Sequence, residues 1–273
     1  MTAPTRTSVP PPPPNFRDWL DARFERLRTF FWHVGEVTLL TRRAAKALVT
    51  TRFEWRALLY QFEQLGVKSF GIGAATAIFV GIVMAIQFAF SLEKFGAKDS
   101  VGRIVGLSEA RELAPSLTSL FVGSRIAAGM AAEIGSMAVT EQIDAIRALG
   151  ADPVRKLVVP RVLAGIVVLP LLCSFALVLG IASAMLVCNL TFDMKMAFFA
   201  SSALDSIQLR DLGSGLGKTP FFGFLIAILG CHFGFQTRGG TEGVGRATTT
   251  SVVVVSVAIL VADALLTQVF LSL

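Results

Sequence analysis

Five long apolar stretches constrain the fold of this chain more than any other feature. An α-helix needs about 20 residues to cross a bilayer. The stretches that approach or exceed this length are residues 69–92, 104–137, 162–192, 219–237 and 247–273. The second is interrupted by charges that include Arg111, Glu112, Arg125 and Glu133, and the fifth carries Asp263. We therefore predict an all-α polytopic membrane protein with five transmembrane helices.

Basic residues are concentrated before the first apolar stretch. Of the 25 Lys and Arg residues, 11 lie between Arg6 and Lys68. They flank a predicted span and form no patch on a soluble domain, so we expect no nucleic-acid partner. The positive-inside rule predicts a cytoplasmic N-terminus and a C-terminus on the far side. Residues 193–218 then form an outer loop.

The chain preceding the spans has two predicted parts. Residues 1–14 hold six of the 11 prolines and are expected to be a disordered, polyproline-like tail. Residues 15–68 are expected to form interfacial and cytoplasmic helices. Residues 16–34 have apolar side chains at helical spacing and a mostly basic opposite face, which predicts an amphipathic helix in the membrane interface. A surface helix of a soluble domain is the alternative. A second cytoplasmic helix is expected within 36–68, and residues 69–273 form the membrane domain.

Two sequence features resemble functional motifs but lack the spacing that a phosphate-binding loop or a metal site requires. Residues 213–219, GSGLGKT, resemble a phosphate-binding loop, but Gly213 is one residue too close to Gly-Lys-Thr and no buried strand precedes it. Cys173, Cys188 and Cys231 lie in apolar runs without metal-ligand spacing. We therefore expect no catalytic residue, metal or cofactor, and no ATPase activity of this chain's own.

The charged residues within the predicted second span need partners. Arg111, Glu112, Arg125 and Glu133 cannot face lipid cheaply, so each should face a partner, a cavity or an interface. The span is also rich in small residues, which allow close approach between membrane helices. Structural ion pairing inside the bundle and the lining of a substrate cavity both remain open.

Asp263 is the only formal charge of the fifth span. It lies 17 residues beyond Arg246, about 25 Å along a helix, and so near the far edge of the hydrocarbon core. We predict a pair with Arg111, at similar depth, or a polar contact between subunits. A hydrated residue at the periplasmic interface is the alternative.

A short capped helix is predicted between the second and third spans. Thr140 is a candidate N-cap, and Gly150 followed by Pro153 supplies a stop signal. The apolar stripe of this helix consists of Ile143, Ile146 and Leu149. Such a helix can dock into a groove on a partner protein. Its alternative is a helix resting on the membrane or on its own bundle.

A glycine-rich segment, residues 234–250, predicts a tight cytoplasmic turn between the fourth and fifth spans. Arg246 follows this turn, where the fifth span begins. It could contact lipid phosphates or a partner protein. A plain positive-inside anchor is equally compatible with its position.

Two segments carry longer motifs. Within residues 112–161 these are AAEIG at 131–135, TEQIDA at 140–145 and LGADP at 149–153. The second segment, GGTEGVGRATT, occupies residues 239–249. Over about residues 55–273 the chain resembles the MlaE/YrbE permease family.

This resemblance implies the membrane subunit of a bacterial ABC transporter for phospholipids. Such permeases move phospholipids between the inner membrane and a periplasmic MCE-domain ring and maintain outer-membrane lipid asymmetry. They form homodimers with a cytoplasmic ATPase dimer, a separate chain, and some systems add a STAS-domain subunit. The fold implied is an interfacial helix followed by five transmembrane helices. A non-transporting membrane scaffold or anchor is the alternative function.

The resemblance also implies roles for individual residues. Those expected at the lipid cavity are Met84, Gln87, Arg111, Glu112 and Leu113. Those expected on the helix that couples to the ATPase are Thr140, Glu141, Gln142, Ile143, Asp144, Ile146, Arg147 and Leu149. Further charges expected in the membrane or at an interface are Arg125, Glu133, Arg246 and Asp263.

Overall fold

The computed structural model of this chain describes residues 16–50 and 55–272. The chain divides into two compact units, Met1–Leu39 and Leu40–Leu273. The predicted proline-rich tail, residues 1–14, lies outside the described residues.

The first helix, α1 (Phe16–Thr50), is longer than the sequence pattern predicts. Residues 36–50 contain no glycine or proline, so nothing in them breaks the helix. In the first unit α1 exposes large apolar side chains, including Phe31 and Trp32. Such side chains suit the membrane interface that the sequence predicts for this helix.

Helices α2 to α6 form the first two spans and the short helix after them. The first span, Trp55–Glu93, consists of α2 (Trp55–Phe62), a π-helical turn π1 (Glu63–Val67) and α3 (Lys68–Glu93). The second, Lys98–Val139, begins with a 3-10 turn (Lys98–Ser100) and contains α4 (Val101–Ser108), π2 (Glu109–Leu117) and α5 (Thr118–Val139). Helix α6 (Gln142–Ala148) follows.

The remaining helices complete the bundle. The third span, Val154–Phe192, joins π3 (Val154–Val158) to α7 (Val159–Phe192). Helix α8 (Met196–Ser206) leads to α9 (Leu209–Phe235), the fourth span. Helix α10 (Gly240–Ser272) provides the fifth span, Gly240–Phe270.

Five helices of the described chain are long and apolar enough to cross a membrane, which confirms the predicted number. The limits of the fourth span differ from the prediction. The expected outer loop, residues 193–218, is helical over most of its length, because α9 begins at Leu209 rather than at Thr219. Gln208 and Asp211 form a capping box that starts α9 at this earlier position.

The helices pack in two groups that share α7. Helix α3 packs on α7, whereas α5 packs on α9 and α10, and α7 also contacts α9. Helix α4 packs on α8, which defines one end of the bundle, the α8 end. Helix α6 lies at the opposite end, the α6 end, where α5 stops and the third span starts. At the α8 end the buried core includes Val105, Cys188 and Phe199.

Glycines set the closest helix contacts. A Cβ atom on Gly223 of α9 would overlap the carbonyl oxygen of Gly165 on α7, and a Cβ on Gly165 would crowd Gly223 in return. A Cβ on Gly81 of α3 would likewise overlap the carbonyl oxygen of Gly180 on α7. Small residues at such crossings let backbones approach and gain dispersion contacts that lipid cannot replace.

We expect Gly223→Ala to lower the free energy of unfolding by about 1–3 kcal/mol, because the added methyl group meets backbone rather than a flexible side chain. The control is Gly129→Ala, since a Cβ at this exposed position of α5 meets nothing within 4 Å. Thermal or denaturant unfolding in detergent micelles measures both. Equal stability of the two variants would contradict the packing assigned to the α7–α9 crossing.

Candidate functional site

A buried lysine lies at the centre of the most polar region within the spans. The Lys218 side chain on α9 is only 1% exposed. Its Nζ lies 2.8 Å from Glu112 Oε1, 3.2 Å from Asp263 Oδ1 and 2.6 Å from Thr267 Oγ1. Burying an ammonium is costly unless charge and hydrogen bonds compensate it. Lys218 therefore ties π2 and α10 to α9.

A second ion pair lies beside the first. Arg111 donates from Nη2 and Nε to Asp211 Oδ1, at 2.6 and 2.7 Å. The other oxygen of Asp211 accepts the backbone N–H of Gln208 at 2.9 Å. The same carboxylate thus caps the start of α9 and fixes the guanidinium of Arg111.

The irregular backbone of π2 supplies another acceptor. Pro115 has no N–H, so it cannot make the α-helical hydrogen bond to the carbonyl of Arg111 four residues earlier. The Nζ of Lys218 lies 3.5 Å from this carbonyl oxygen. Gly215 of α9 packs directly on the carbonyl of Ala110, where any side chain would collide. This close approach brings Lys218 within reach of π2.

The pair predicted between Asp263 and Arg111 is wrong. Asp263 accepts hydrogen bonds from Lys218 and, at 2.7 Å, from Ser116 Oγ. The extra helical turns at the start of α9 carry Lys218 into the bundle, between π2 and α10. Asp211, on the same turns, takes up Arg111.

The Lys218–Glu112 and Arg111–Asp211 ion pairs border a cavity of about 260 Å³ towards the α8 end. Its lining residues are Arg111, Glu112, Gln208, Arg210, Asp211, Ser214, Lys218, Thr267 and Phe270. Arg111 and Glu112, predicted at a cavity, both lie on its wall. Met84, Gln87 and Leu113 are not among its lining residues: Met84 and Leu113 are half-buried and Gln87 is exposed.

The other predicted charges lie outside this cavity. Arg125 donates to Ser69 Oγ at 2.8 Å and so joins α5 to the start of α3. Glu133, half-exposed on α5, pairs at 2.8 Å with the buried Arg161 of α7. Arg246 is exposed near the start of α10 and forms no ion pair with any residue in the described ranges. Ion pairing and cavity lining, left open by the sequence, thus apply to different residues.

The short helix predicted between the second and third spans is present as α6, but Thr140 does not cap it. Thr140 ends α5 and donates from Oγ1 to the carbonyl of Ser136 at 2.8 Å. Glu141 then turns the chain with a φ of +59°. The predicted stop is confirmed, since Gly150 has a φ of +76° and closes a Schellman motif.

The apolar stripe of α6 divides between two environments. Ile143 is buried against the bundle, Ile146 is half-buried and Leu149 is 85% exposed. The five polar side chains of the predicted set are all exposed: Thr140, Glu141, Gln142, Asp144 and Arg147. Arg147 pairs with Asp144 at 2.8 Å. One apolar side chain thus holds α6 to the bundle, and another is presented outward.

Sequence reasoning missed Lys218, Asp211 and Glu109. The hydropathy pattern places Lys218 in a loop because the charge-free stretch begins one residue later. The available signal was helical spacing, since Asp211 and Lys218 are seven residues apart and share a helix face. The third missed residue, Glu109, is the first residue of π2; it is 1% exposed and packs on Gly180 of α7.

Comparison with known proteins assigns this architecture to a family. Residues 58–269 match the permease MlaE family, so the chain is a member of the MlaE permease family. It is 38% identical over 247 residues to a probable ABC transporter permease protein of Synechocystis sp., covering 90% of this chain and 91% of that protein. A probable ABC transporter permease protein of Rickettsia conorii is 36% identical, with 90% and 95% covered.

A plant protein is also similar. The protein TRIGALACTOSYLDIACYLGLYCEROL 1, chloroplastic, of Arabidopsis thaliana is 34% identical over 241 residues, covering 88% of this chain and 69% of that protein. The family and these relatives identify the chain as an ABC transporter permease subunit and a multi-pass membrane protein.

The ion network allows a test by double-mutant cycle. We expect Lys218→Met to destabilise the protein by about 3–5 kcal/mol, because it leaves buried carboxylates without a cation. Adding Asp263→Leu should recover part of this loss, with a coupling of about 1–3 kcal/mol. The cycle of Asp263→Leu with Arg111→Gln should be additive within about 0.5 kcal/mol. Unfolding in detergent measures both cycles, and coupling only in the second would reject the assigned pairs.

Proposed function

We propose that this permease moves phospholipids between the bacterial inner membrane and a periplasmic MCE-domain protein, and so maintains outer-membrane lipid asymmetry. The observation that carries the proposal is the cavity within the spans. Its wall combines charged side chains, including Arg111 and Lys218, with the aromatic ring of Phe270. An amphiphile needs both, because its headgroup must be solvated while its acyl chains remain in an apolar environment.

The charge distribution supports an orientation. The excess of Lys and Arg before the first span favours a cytoplasmic N-terminus. With five spans, α6 then lies on the cytoplasmic side and the cavity in the periplasmic half of the bilayer. A lipid at that depth is suitably placed for transfer to a periplasmic protein. The plant relative, whose name is that of a glycolipid, adds support for a lipid substrate.

The proposed partners are those that the family resemblance implies, and they fit this orientation. In the proposed assembly two copies of the chain bind a cytoplasmic ATPase dimer and a periplasmic MCE ring, and a STAS-domain subunit can join. ATP hydrolysis belongs to the separate ATPase chain. The GSGLGKT segment of this chain lies inside α9, where its backbone N–H groups are engaged in the helix rather than available to phosphates. Helix α6 is the proposed contact with the ATPase.

The proposed contact predicts the effect of Leu149→Asp. We expect co-purification of the ATPase to fall at least tenfold, because a carboxylate replaces an apolar side chain that would be buried in the ATPase groove. The matched control is Leu209→Asp at the α8 end, since Leu209 is 86% exposed and Leu149 is 85% exposed. Unchanged ATPase recovery with Leu149→Asp would count against α6 as the coupling helix.

Lipid in the cavity can be tested by photo-crosslinking. We expect benzoylphenylalanine at Phe270, on the cavity wall, to capture phospholipid from the detergent-purified complex, as identified by mass spectrometry. The same group at Phe175, an exposed position on the outer face of α7, is the control. Capture at the control but not at position 270 would refute a lipid-binding cavity. A complex without phospholipid would favour a scaffold over a transporter.

A further inference from the structure

The cavity wall has unsatisfied charged groups of both signs. Arg111 uses Nε and Nη2 on Asp211, whereas its Nη1 makes no hydrogen bond within the described part of the chain. Its side chain is 47% exposed. Arg210, beside it on the wall, is exposed and forms no ion pair with residues 16–50 or 55–272. Two guanidinium groups are thus available to an anion in the cavity.

One carboxylate oxygen is available as well. The Oε1 atom of Glu112 accepts hydrogen bonds from both Lys218 and Thr267, at 2.8 and 3.1 Å. Among the described residues nothing donates to its Oε2, and the side chain is 40% exposed. A carboxylate oxygen accepts hydrogen bonds and donates none. The group that it suits is therefore a cation with N–H donors.

The remaining charges are satisfied internally. Asp211, Lys218 and Asp263 have side chains exposed by 6, 1 and 17%, and each is paired within the network. Together with Arg111, Arg210 and Glu112 they give three positive and three negative charges, so the site is neutral overall. A neutral site with separate poles attracts a purely anionic headgroup at one pole and repels it at the other. It complements a ligand that is itself a dipole.

We propose that the cavity selects zwitterionic phospholipids whose headgroup ends in a primary ammonium. The phosphate lies at Arg111 and Arg210, and the ammonium donates to Glu112 Oε2. Charge-assisted hydrogen bonds at both poles fix the headgroup's orientation. A trimethylammonium group carries the same charge but has no N–H, so it loses the second contact. This inference rests on the proposed transport of phospholipids.

The test uses the whole purified transporter, equilibrated with vesicles containing phosphatidylethanolamine, phosphatidylglycerol and phosphatidylcholine in equal amounts with identical acyl chains. Mass spectrometry measures the retained lipid. We expect about tenfold enrichment of phosphatidylethanolamine over phosphatidylglycerol, the effect of one charge-assisted hydrogen bond. A second set of vesicles contains phosphatidylethanolamine, its N-methyl and N,N-dimethyl forms and phosphatidylcholine. Retention should fall along this series as methyl groups replace the N–H donors. This series needs no variant, and equal retention along it would overturn the proposal.

Two variants locate the selectivity. Glu112→Gln should abolish the preference for phosphatidylethanolamine over phosphatidylcholine, because the ammonium loses its acceptor. Asp263→Asn makes the same change in the net charge of the site but leaves Glu112 Oε2 in place, since Asp263 is not on the cavity wall. It should keep the preference.

The outcomes separate this inference from the proposed function. Loss of the preference in both variants would assign it to Lys218 and overturn the inference. A wild-type transporter that retains phosphatidylethanolamine and phosphatidylglycerol equally would also overturn the inference, although the proposed phospholipid transport would stand. A wild-type transporter that retains no phospholipid of any class would overturn both the inference and the proposed function.

Discussion

The burial of Lys218 is the constraint on which the polar half of this structure depends. An ammonium that is 1% exposed within membrane-spanning helices must have its charge balanced and its hydrogens bonded. Glu112 and Asp263 balance it, and Thr267 bonds to it from α10. These contacts cannot form unless π2, α9 and α10 meet at one depth. The interaction therefore fixes the relative register of three elements.

The irregular segment π2 makes this meeting possible. It contains the consecutive residues Arg111 and Glu112, and Pro115 prevents a regular hydrogen bond to the carbonyl of Arg111. Irregular backbone at membrane depth is tolerated where it is buried in protein or lines a cavity. Both conditions hold here, since Lys218 approaches the carbonyl and Arg111 lies on the cavity wall. The irregularity and the cavity are parts of one arrangement.

Helix α5 connects the two ends of the proposed mechanism. It begins directly after π2 and ends directly before the turn into α6. Its 22 residues span about 33 Å, the distance between π2 at the cavity and the turn into α6. Contacts along its length join it to neighbouring helices, including Ser124 to Ser256 of α10 at 3.0 Å. Helix α5 therefore links α6 to π2 through the chain and to α10 through side-chain contacts.

The class of protein, the five spans and the position of α6 are predictable from the amino-acid sequence alone. These depend on local properties: the length of apolar runs, helical periodicity, and stop signals such as Gly150. The family resemblance places Arg111 and Glu112 at a lipid cavity, which stays a prediction. The sequence does not predict the start of α9, because hydropathy loses its signal where charged residues enter a span, as Asp211 and Lys218 do.

Which charges pair depends on how the helices pack in three dimensions. Asp263 binds Lys218 rather than Arg111, and Arg111 binds Asp211. Pairing depends on the rotation and depth of each helix relative to its neighbours, which hydropathy does not encode. Those quantities are set by close contacts such as Gly215 on Ala110 and Gly223 on Gly165. The sequence thus determined which residues cross the membrane, and helix packing determined which of them meet.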